Sequence, residues 1–282
     1  MKSLKLSIIT INQNNVEGLR RTIESVVSQT YIDYEYIIID GASTDESVTV
    51  IKQFENSITF WISEPDKGIY NAMNKGVSKA SGEYCLFLNS GDYLYSNEVL
   101  QKFVKSNLHE DILVGDLLIK EKLNSIDFEI KKSPEIITAK YLFNSYLPHP
   151  SSFIKRSLFN NVGMFNENNK IVSDGEFFIK ALLKFQVSYC YFPVLISVFI
   201  KDGLSCNQKS IPIFDQEKKD YMLKYFQYFY QDFINYNELE NKIDKFKVSN
   251  EFKVIKILKK SGLMSLFMFV YKVFSKIQRI LQ

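Results

Sequence analysis

Ser63-Glu64-Pro65-Asp66-Lys67-Gly68-Ile69-Tyr70-Asn71-Ala72-Met73-Asn74-Lys75-Gly76, followed shortly by Tyr84-Cys85-Leu86-Phe87-Leu88-Asn89-Ser90-Gly91-Asp92, decides how this chain is read. A polar, glycine-hinged turn opens a helix, and a short apolar strand then ends in a carboxylate. In an open α/β sheet, ligands bind beyond the carboxyl ends of strands, where loops present polar groups and helix N-termini. The same order occurs twice upstream. Leu6-Ser7-Ile8-Ile9-Thr10-Ile11 is too apolar to be one-sided, as expected of a strand covered on both faces, and it ends at Asn12. Tyr36-Ile37-Ile38-Ile39 ends at Asp40-Gly41.

Residues 16–28 show helical spacing through Leu19, Ile23, Val26 and Val27. Ser43-Thr44-Asp45-Glu46 reads as an N-cap cluster, with Ser43 and Glu46 spaced as a capping box before a helix to about residue 54. A strand at 58–62, a helix at 69–79 and a strand at 84–88 follow. Strands alternating with helices of about 12 residues predict βαβ units and a parallel sheet. Past Asp92 the spacing predicts a helix at 97–105, strands at 112–120 and 126–130, and a turn at Leu147-Pro148-His149-Pro150. A strand at 152–154, helices at 157–162 and 174–183, and strands at 187–194 and 197–200 come next. Pro212 opens a long aromatic-rich helix to about residue 236, and residues 238–247 read as a linker or a second helix.

At 282 residues the chain suits one α/β core with an appendage. Its net charge of +3 is unevenly spread: residues 251–282 hold seven basic residues against Glu251, which makes the tail +6 and leaves −3 for the rest. An acidic core gives no nucleic-acid-binding face, and no nucleic-acid partner is expected. Cys85, Cys190 and Cys206 are widely spaced with no Cys-x-x-Cys pair, which suits structural thiols in a reducing compartment rather than disulfides or a zinc cluster. No signal-peptide cleavage site or run of roughly 18–20 apolar residues is evident, so a cytoplasmic location is expected. No Gly-x-Gly-x-x-Gly follows the first strand, which argues against a dinucleotide fold and against nucleotidyl transfer.

The order and wording of these loops resemble the family 2 glycosyltransferases. The resemblance covers roughly residues 4–205, is strongest from Ser7 to Asp92, holds moderately from His149 to Phe178, and is absent in the tail. It implies an α/β GT-A (Rossmann-like) fold, a mostly parallel sheet flanked by helices, with a C-terminal helical extension. Residues 1–210 would form the GT-A domain, with a nucleotide-sugar half at 1–95 and an acceptor half at 96–210, and residues 211–282 a helical region with a basic amphipathic tail. The implied activity is transfer of a hexosyl or N-acetylhexosaminyl group from a nucleotide-diphospho-sugar, expected to be a UDP-sugar, to a hydroxyl of a lipid-linked glycan, with inversion. Bacterial envelope, capsule or lipopolysaccharide assembly is the implied setting.

By the same resemblance, Thr10 and Asn12 border the base, and Asp40 accepts a hydrogen bond from a pyrimidine N–H. Asp66 and Asn74 line the donor site, and Lys67 meets the diphosphate. Asn89-Ser90-Gly91-Asp92 replaces the family's Asp-x-Asp-type metal motif; with Asn89 and Gly91 in the first and third places, Asp92 is its one carboxylate. A magnesium or manganese ion can be held by one carboxylate plus substrate phosphates and act as a Lewis acid. Val172-Ser173-Asp174-Gly175-Glu176, after Gly163-Met164-Phe165-Asn166-Glu167, resembles the acceptor-side segment, which makes Asp174 the general base and Glu176 either its orienter or a surface acid. His149, before Ser151-Ser152-Phe153, and Ser205, in Gly203-Leu204-Ser205, are further candidates.

Plainer roles stand beside these. Ser43 and Asp45 can simply cap a helix, Trp61 and Met73 fit a core, a lone His is more often structural, and an N-cap Asp at position 174 contributes about 1 kcal/mol. The altered metal motif keeps open a catalytically silent nucleotide-binding scaffold in a polysaccharide assembly. In the tail, Leu263, Leu266, Phe267, Val270, Phe274 and Ile277 recur at helical spacing opposite Lys272, Lys276 and Arg279. That pattern fits a helix lying on an anionic membrane, here the inner face of the cell membrane. A helix packed on the core or on a second subunit is the alternative.

Overall fold

A computed structural model describes residues 6–201 and 208–281. Ser205, with its Gly203-Leu204-Ser205 loop, and Cys206 lie outside the described residues. The first half follows the sequence closely: β1 (Leu6–Asn12), α1 (Val16–Val27), β2 (Tyr34–Asp40), α2 (Ser47–Gln53), β3 (Phe60–Ser63), α3 (Ile69–Lys79) and β4 (Tyr84–Phe87). Then come β5 (Tyr93–Leu94), α4 (Val99–Ser106), β6 (Ile112–Lys120), β7 (Phe128–Lys131), α5 (Ala139–Asn144), β8 (Ser152–Lys155), α6 (Leu158–Asn161), α7 (Ser173–Ile179) and β9 (Tyr189–Ile200). After them lie α8 (Ile211–Val248), α9 (Asn250–Lys260) and α10 (Met264–Leu281).

The strand order is β3-β2-β1-β4-β8-β6-β9-β5, with β7 paired to β6. β1 pairs parallel with β2 and β4, and β2 with β3, so the βαβ reading holds there. Beyond β4 the sheet turns mixed: β8 runs antiparallel to both β4 and β6, whereas β6 and β9 are parallel. β9 is one strand where the sequence spacing gives two. Its register against β6 slips between Tyr191 and Leu195, around Pro193, which has no N–H for the ladder. α5 and the short β5 have no clear periodic signal in the sequence.

β1 is buried along its whole length, and its polar side chains are paired inside. The Thr10 hydroxyl meets the Tyr36 hydroxyl at 3.0 Å. Thr10 is fully buried and belongs to this core contact instead of bordering a base. At the opposite end of the sheet, buried Glu35 accepts bonds from the Ser7 and Ser81 hydroxyls and from the Ser81 and Gly82 amides, joining β1, β2 and the turn into β4. Burial pushes its carboxyl up, but those four donors outweigh it and leave Glu35 below its ordinary value.

The expected capping box at Ser43 does not form: α2 begins only at Ser47, and the Ser43 hydroxyl oxygen accepts from Asn14 N–H while its proton goes to Asp40. Asp45 takes over, accepting from the amides of Ser47 at 3.0 Å and Val16 at 3.0 Å. The chain divides into two compact units, Met1–Tyr221 and Met222–Gln282. In the second unit, the stretch read as a linker or a second helix is helical: α8 runs on through it to Val248, with non-helical backbone at Phe226. α10 exposes Leu266, Phe267, Phe269 and Tyr271. Among the described residues no helix is long and apolar enough to cross a membrane.

Candidate active site

The carboxyl ends of β1, β2 and β4 carry three loops that latch to one another. The Asn14 amide donates to the Ser43 hydroxyl at 2.8 Å, and Thr44 N–H donates to Asn14 Oδ1 at 2.8 Å. Asn15 Nδ2 donates to the Ser90 carbonyl at 3.0 Å. Asp40 is the hub of the first two loops. Oδ1 accepts from Asn12 Nδ2 at 2.8 Å and the Ser43 hydroxyl at 2.6 Å; Oδ2 accepts from Ser43 N–H at 2.9 Å and the Ser63 hydroxyl at 2.6 Å. A carboxylate has about four acceptor positions. Asp40, fully buried, has none left for a base and acts as a loop organiser.

Asp66, by contrast, is half-buried. Its Oδ1 accepts from Gly68 N–H at 2.8 Å, at the entrance to α3. Its Oδ2 lies where a side chain at residue 41 would point: a Cβ added to Gly41 would fall 2.4 Å from it. Gly41 therefore makes room for the Asp66 carboxylate beside the β2 loop. Lys75 steadies this segment, pairing with Glu64 at 2.7 Å and donating to the Pro65 carbonyl at 3.0 Å. Lys67 is exposed, within electrostatic reach of Glu167.

Asn74, expected in the donor site, is instead a staple. Its Nδ2 donates to the Phe165 carbonyl and to Glu167 Oε1, both at 2.9 Å, and its Oδ1 accepts from Phe165 N–H at 3.0 Å. Glu176 is likewise structural. Buried, it accepts from Asn166 Nδ2 at 3.1 Å and Asn169 Nδ2 at 2.8 Å, so it is neither a surface acid nor a bonded partner of Asp174.

The turn after β4 holds Gly91 at φ +112, a left-handed conformation that a side chain resists. Its N–H donates to the Thr22 hydroxyl at 3.0 Å, so Gly91 shapes the turn and offers no amide to a ligand. The Thr22 hydroxyl in turn reaches the Asp92 carbonyl at 2.6 Å, tying α1 to this turn.

From this turn a polar chain crosses to α7. Asn89 Nδ2 lies 3.3 Å from His149 Nε2, and His149 Nδ1 lies 2.9 Å from Asp174 Oδ2. Asp174 Oδ1 accepts from the Tyr70 hydroxyl at 2.9 Å, whose proton it shares with the Ile171 carbonyl at 2.6 Å. Burial alone would raise the Asp174 carboxyl, but the bond and charge of His149, with Tyr70 and the Gly175 amide, outweigh it and hold it below its ordinary value. Burial would lower the His149 imidazole, but Asp174, with Asp92 adding to its effect, raises it instead. The pair is thus an ionised carboxylate held by a readily protonated imidazole, each stabilising the other's charge.

Two contributors left no signal in the sequence pattern. Glu217 on α8 accepts from three successive amides, Lys170 at 2.6 Å, Ile171 at 3.0 Å and Val172 at 3.3 Å, and so fixes the loop that leads into Asp174. Tyr146 packs its ring against Gly175. Tyr70 was legible in principle, one helical turn inside the quoted stretch on the face carrying Met73 and Asn74.

Asn89 Oδ1 is buried without a partner, three residues from Asp92. Among the described residues no cluster of three or more His, Cys, Asp or Glu side chains assembles. The set fits a hard divalent ion that takes its remaining ligands from substrate phosphates and water, and would not chelate a bare ion by itself.

Residues 7–163 match the glycosyl transferase family 2 model. The chain belongs to glycosyl transferase family 2. It is 33% identical over 190 residues to an uncharacterized glycosyltransferase of Mycobacterium tuberculosis, covering 63% of this chain and 69% of that protein. It is 27% identical over 209 residues to the PGL/p-HBAD biosynthesis glycosyltransferase of the same organism, covering 72% and 79%. Among solved structures, this family 2 glycosyltransferase is similar to S. aureus TarS 1-349 in complex with UDP-GlcNAc, with a TM-score of 0.60 at 17% identity over 78% of this chain and 66% of that one. The mannosyltransferase PcManGT of Pyrobaculum calidifontis, in complex with GDP-Man and Mn2+, gives a TM-score of 0.54 at 12% identity over 91% and 84%. Against another TarS 1-349 structure the chain spans 60% of the partner's length. The fold of this family 2 glycosyltransferase is GT-A, a mixed sheet flanked by helices.

Proposed function

We propose that this family 2 glycosyltransferase transfers a hexosyl or N-acetylhexosaminyl group from a uridine-diphosphate sugar to a glycan hydroxyl in a single in-line displacement that inverts the anomeric centre. The observation that carries this reading is Asp174, kept ionised 2.9 Å from both His149 and Tyr70 and linked through Asn89 to the strand-end turn. As the acceptor oxygen attacks, the Asp174 carboxylate takes its proton, the work of a general base. His149 and Tyr70 hold that carboxylate in place. A double displacement would need a second carboxylate poised as nucleophile, and the neighbouring Glu176 is buried and bonded through Oε2 to Asn166 and Asn169.

The donor end is assigned from the loops. Asp66 is the acceptor offered to a pyrimidine N–H, with Asn12 beside it and Lys67 for the diphosphate. Similarity to TarS structures bound to UDP and UDP-GlcNAc supports a uridine donor. Asp92 and Asn89 would hold a magnesium or manganese ion, which when bound stabilises charge on the leaving diphosphate. The acceptor is proposed to be a lipid-linked envelope glycan, which the relative assigned to PGL/p-HBAD biosynthesis and the basic, apolar tail support. The tail would then rest on the inner face of the cell membrane.

Thermal stabilisation by UDP-, dTDP- and GDP-sugars, each with Mg2+, Mn2+ or chelator, tests the reading. A matched donor at a hundredfold excess over its dissociation constant adds about 2.7 kcal/mol. A UDP-sugar should stabilise most, and Asp92→Asn should abolish the metal-dependent part. Stabilisation by GDP-sugars alone would overturn the donor assignment, and binding without any UDP release would mark a silent scaffold.

A further inference from the structure

Two lysines with no part in the chemistry above meet around Tyr146, and one of them, Lys131, feels the charge of Asp174. Lys131, at the end of β7, sends Nζ to the Tyr146 carbonyl at 2.9 Å. Lys218, on the first turns of α8, holds Nζ 5.3 Å from the centre of the Tyr146 ring and 5.9 Å from that of Phe214. Tyr146 lies against the backbone next to the base: a Cβ added to Gly175 would fall 2.3 Å from its ring carbons. The hydroxyls of Tyr146 and Tyr221 are buried near each other, without a well-formed bond to another group, and both feel the charge of Asp174.

Both lysines are half-buried. The charges facing them are Glu129 and Asp174 for Lys131, and Asp215 for Lys218. None of these carboxylates forms a salt bridge with either ammonium group, and burial holds both below the ordinary lysine value. Ammonium groups drawn partly out of water cost free energy unless an anion reaches them. Here two are brought by different elements onto one aromatic residue, beside the proposed base.

We infer that Lys131 and Lys218, set around Tyr146, form an acceptor subsite for an anionic glycan, its phosphate or carboxylate bound by the two ammonium groups while a nearby hydroxyl is presented to Asp174. This rests on the glycosyl-transfer reading and adds the substrate class to it. A phosphate borne on a sugar, a lipid-borne phosphate and a uronic acid share this chemistry.

The test uses the full-length protein saturated with UDP and Mg2+, so that the donor pocket is filled. Glucose, glucuronate, glucose 6-phosphate and decyl phosphate below its micellar concentration are titrated by calorimetry. At least one anionic probe should bind tenfold or more tightly than glucose. Lys131→Met and Lys218→Met should each weaken it at least fivefold, Lys131→Arg and Lys218→Arg should retain most of the affinity, and exposed Lys52→Met should change nothing. Preference for glucuronate assigns a uronic acid, for glucose 6-phosphate a sugar phosphate, and for decyl phosphate a lipid phosphate. The inference is overturned if no anion is preferred over glucose, or if the preference survives both methionine variants. Loss of UDP binding in the unmodified protein would count against the glycosyl-transfer reading itself, and is measured separately.

Discussion

Asp174→Asn separates catalysis from architecture at this site. Asparagine keeps the outline of the side chain, and both bonds have somewhere to go. Its Oδ1 can still accept from His149 Nδ1–H, at the position where Asp174 lies 2.9 Å away. Its amide can donate to the Tyr70 oxygen, because the Tyr70 proton has the Ile171 carbonyl at 2.6 Å as an alternative acceptor. Two charge-assisted bonds become two neutral ones. With charged bonds contributing about 1.5–3 kcal/mol and neutral ones about 0.5–1.5, the two changes together cost the variant about 2–3 kcal/mol. For a domain of this size that lowers Tm by about 4–12 °C.

The sign of its pH dependence follows from the two partners. Asp174 sits below its unfolded value, so its contribution is present above the ordinary carboxylate range and is lost as pH falls through the lowered value. His149 sits above its ordinary 6.5, so its share is complete below that value and is lost as pH rises through the raised one. The Tm gap between wild type and variant should therefore be widest in the mildly acidic window between them. Turnover should fall far more, by about 10²–10⁴-fold, because the amide cannot take the acceptor proton. UDP release with acceptor, measured beside calorimetric UDP affinity, reads this directly. The reasoning fails if Asp174→Asn turns over within threefold of wild type, or if Glu176→Gln is the variant that loses turnover with the fold intact.

The other predictions rest on separate contacts. Asp66→Ala should weaken UDP binding by about 1.5–3 kcal/mol with little change in Tm, whereas Asp40→Asn should destabilise the protein by at least about 2 kcal/mol, because its amide would face two donors; calorimetry and thermal melts distinguish them. Glu35→Gln should cost about 1–3 kcal/mol at pH 7 and nothing once pH falls below Glu35's lowered value, as urea unfolding at a series of pH values would show. Replacing Lys253, Lys256, Lys259 and Lys260 with Ala should remove salt-sensitive co-sedimentation with anionic vesicles, since each basic residue near such a surface contributes about 1 kcal/mol. If neither protein sediments with vesicles, the tail has another partner.

Much of the first hundred or so residues was legible because its signals are local. Buried β-branched strands, helical spacing and a glycine turn appear in consecutive residues, and β1 to β4 follow them within a few positions. Asp174 and His149 were also legible as candidates, through the motif each sits in. The sequence could not show that they touch, since 25 residues separate them and only the packing of α7 against the turn before β8 brings Nδ1 to 2.9 Å from Oδ2. Hydrogen-bond saturation was equally hidden. A carboxylate after a strand reads alike whether its oxygens are open or meet four protein donors, and only the converging loops showed Asp40 to be enclosed by four donors and Asp66 to be half-buried. The same holds for Asn74 and Glu176, polar residues in the expected places whose partners lie on other loops. Lys131, Lys218 and Glu217 carry no motif at all. Their roles arise because β7 and α8, distant along the chain, are carried by tertiary packing to the side of one aspartate, and no local pattern records where such elements meet.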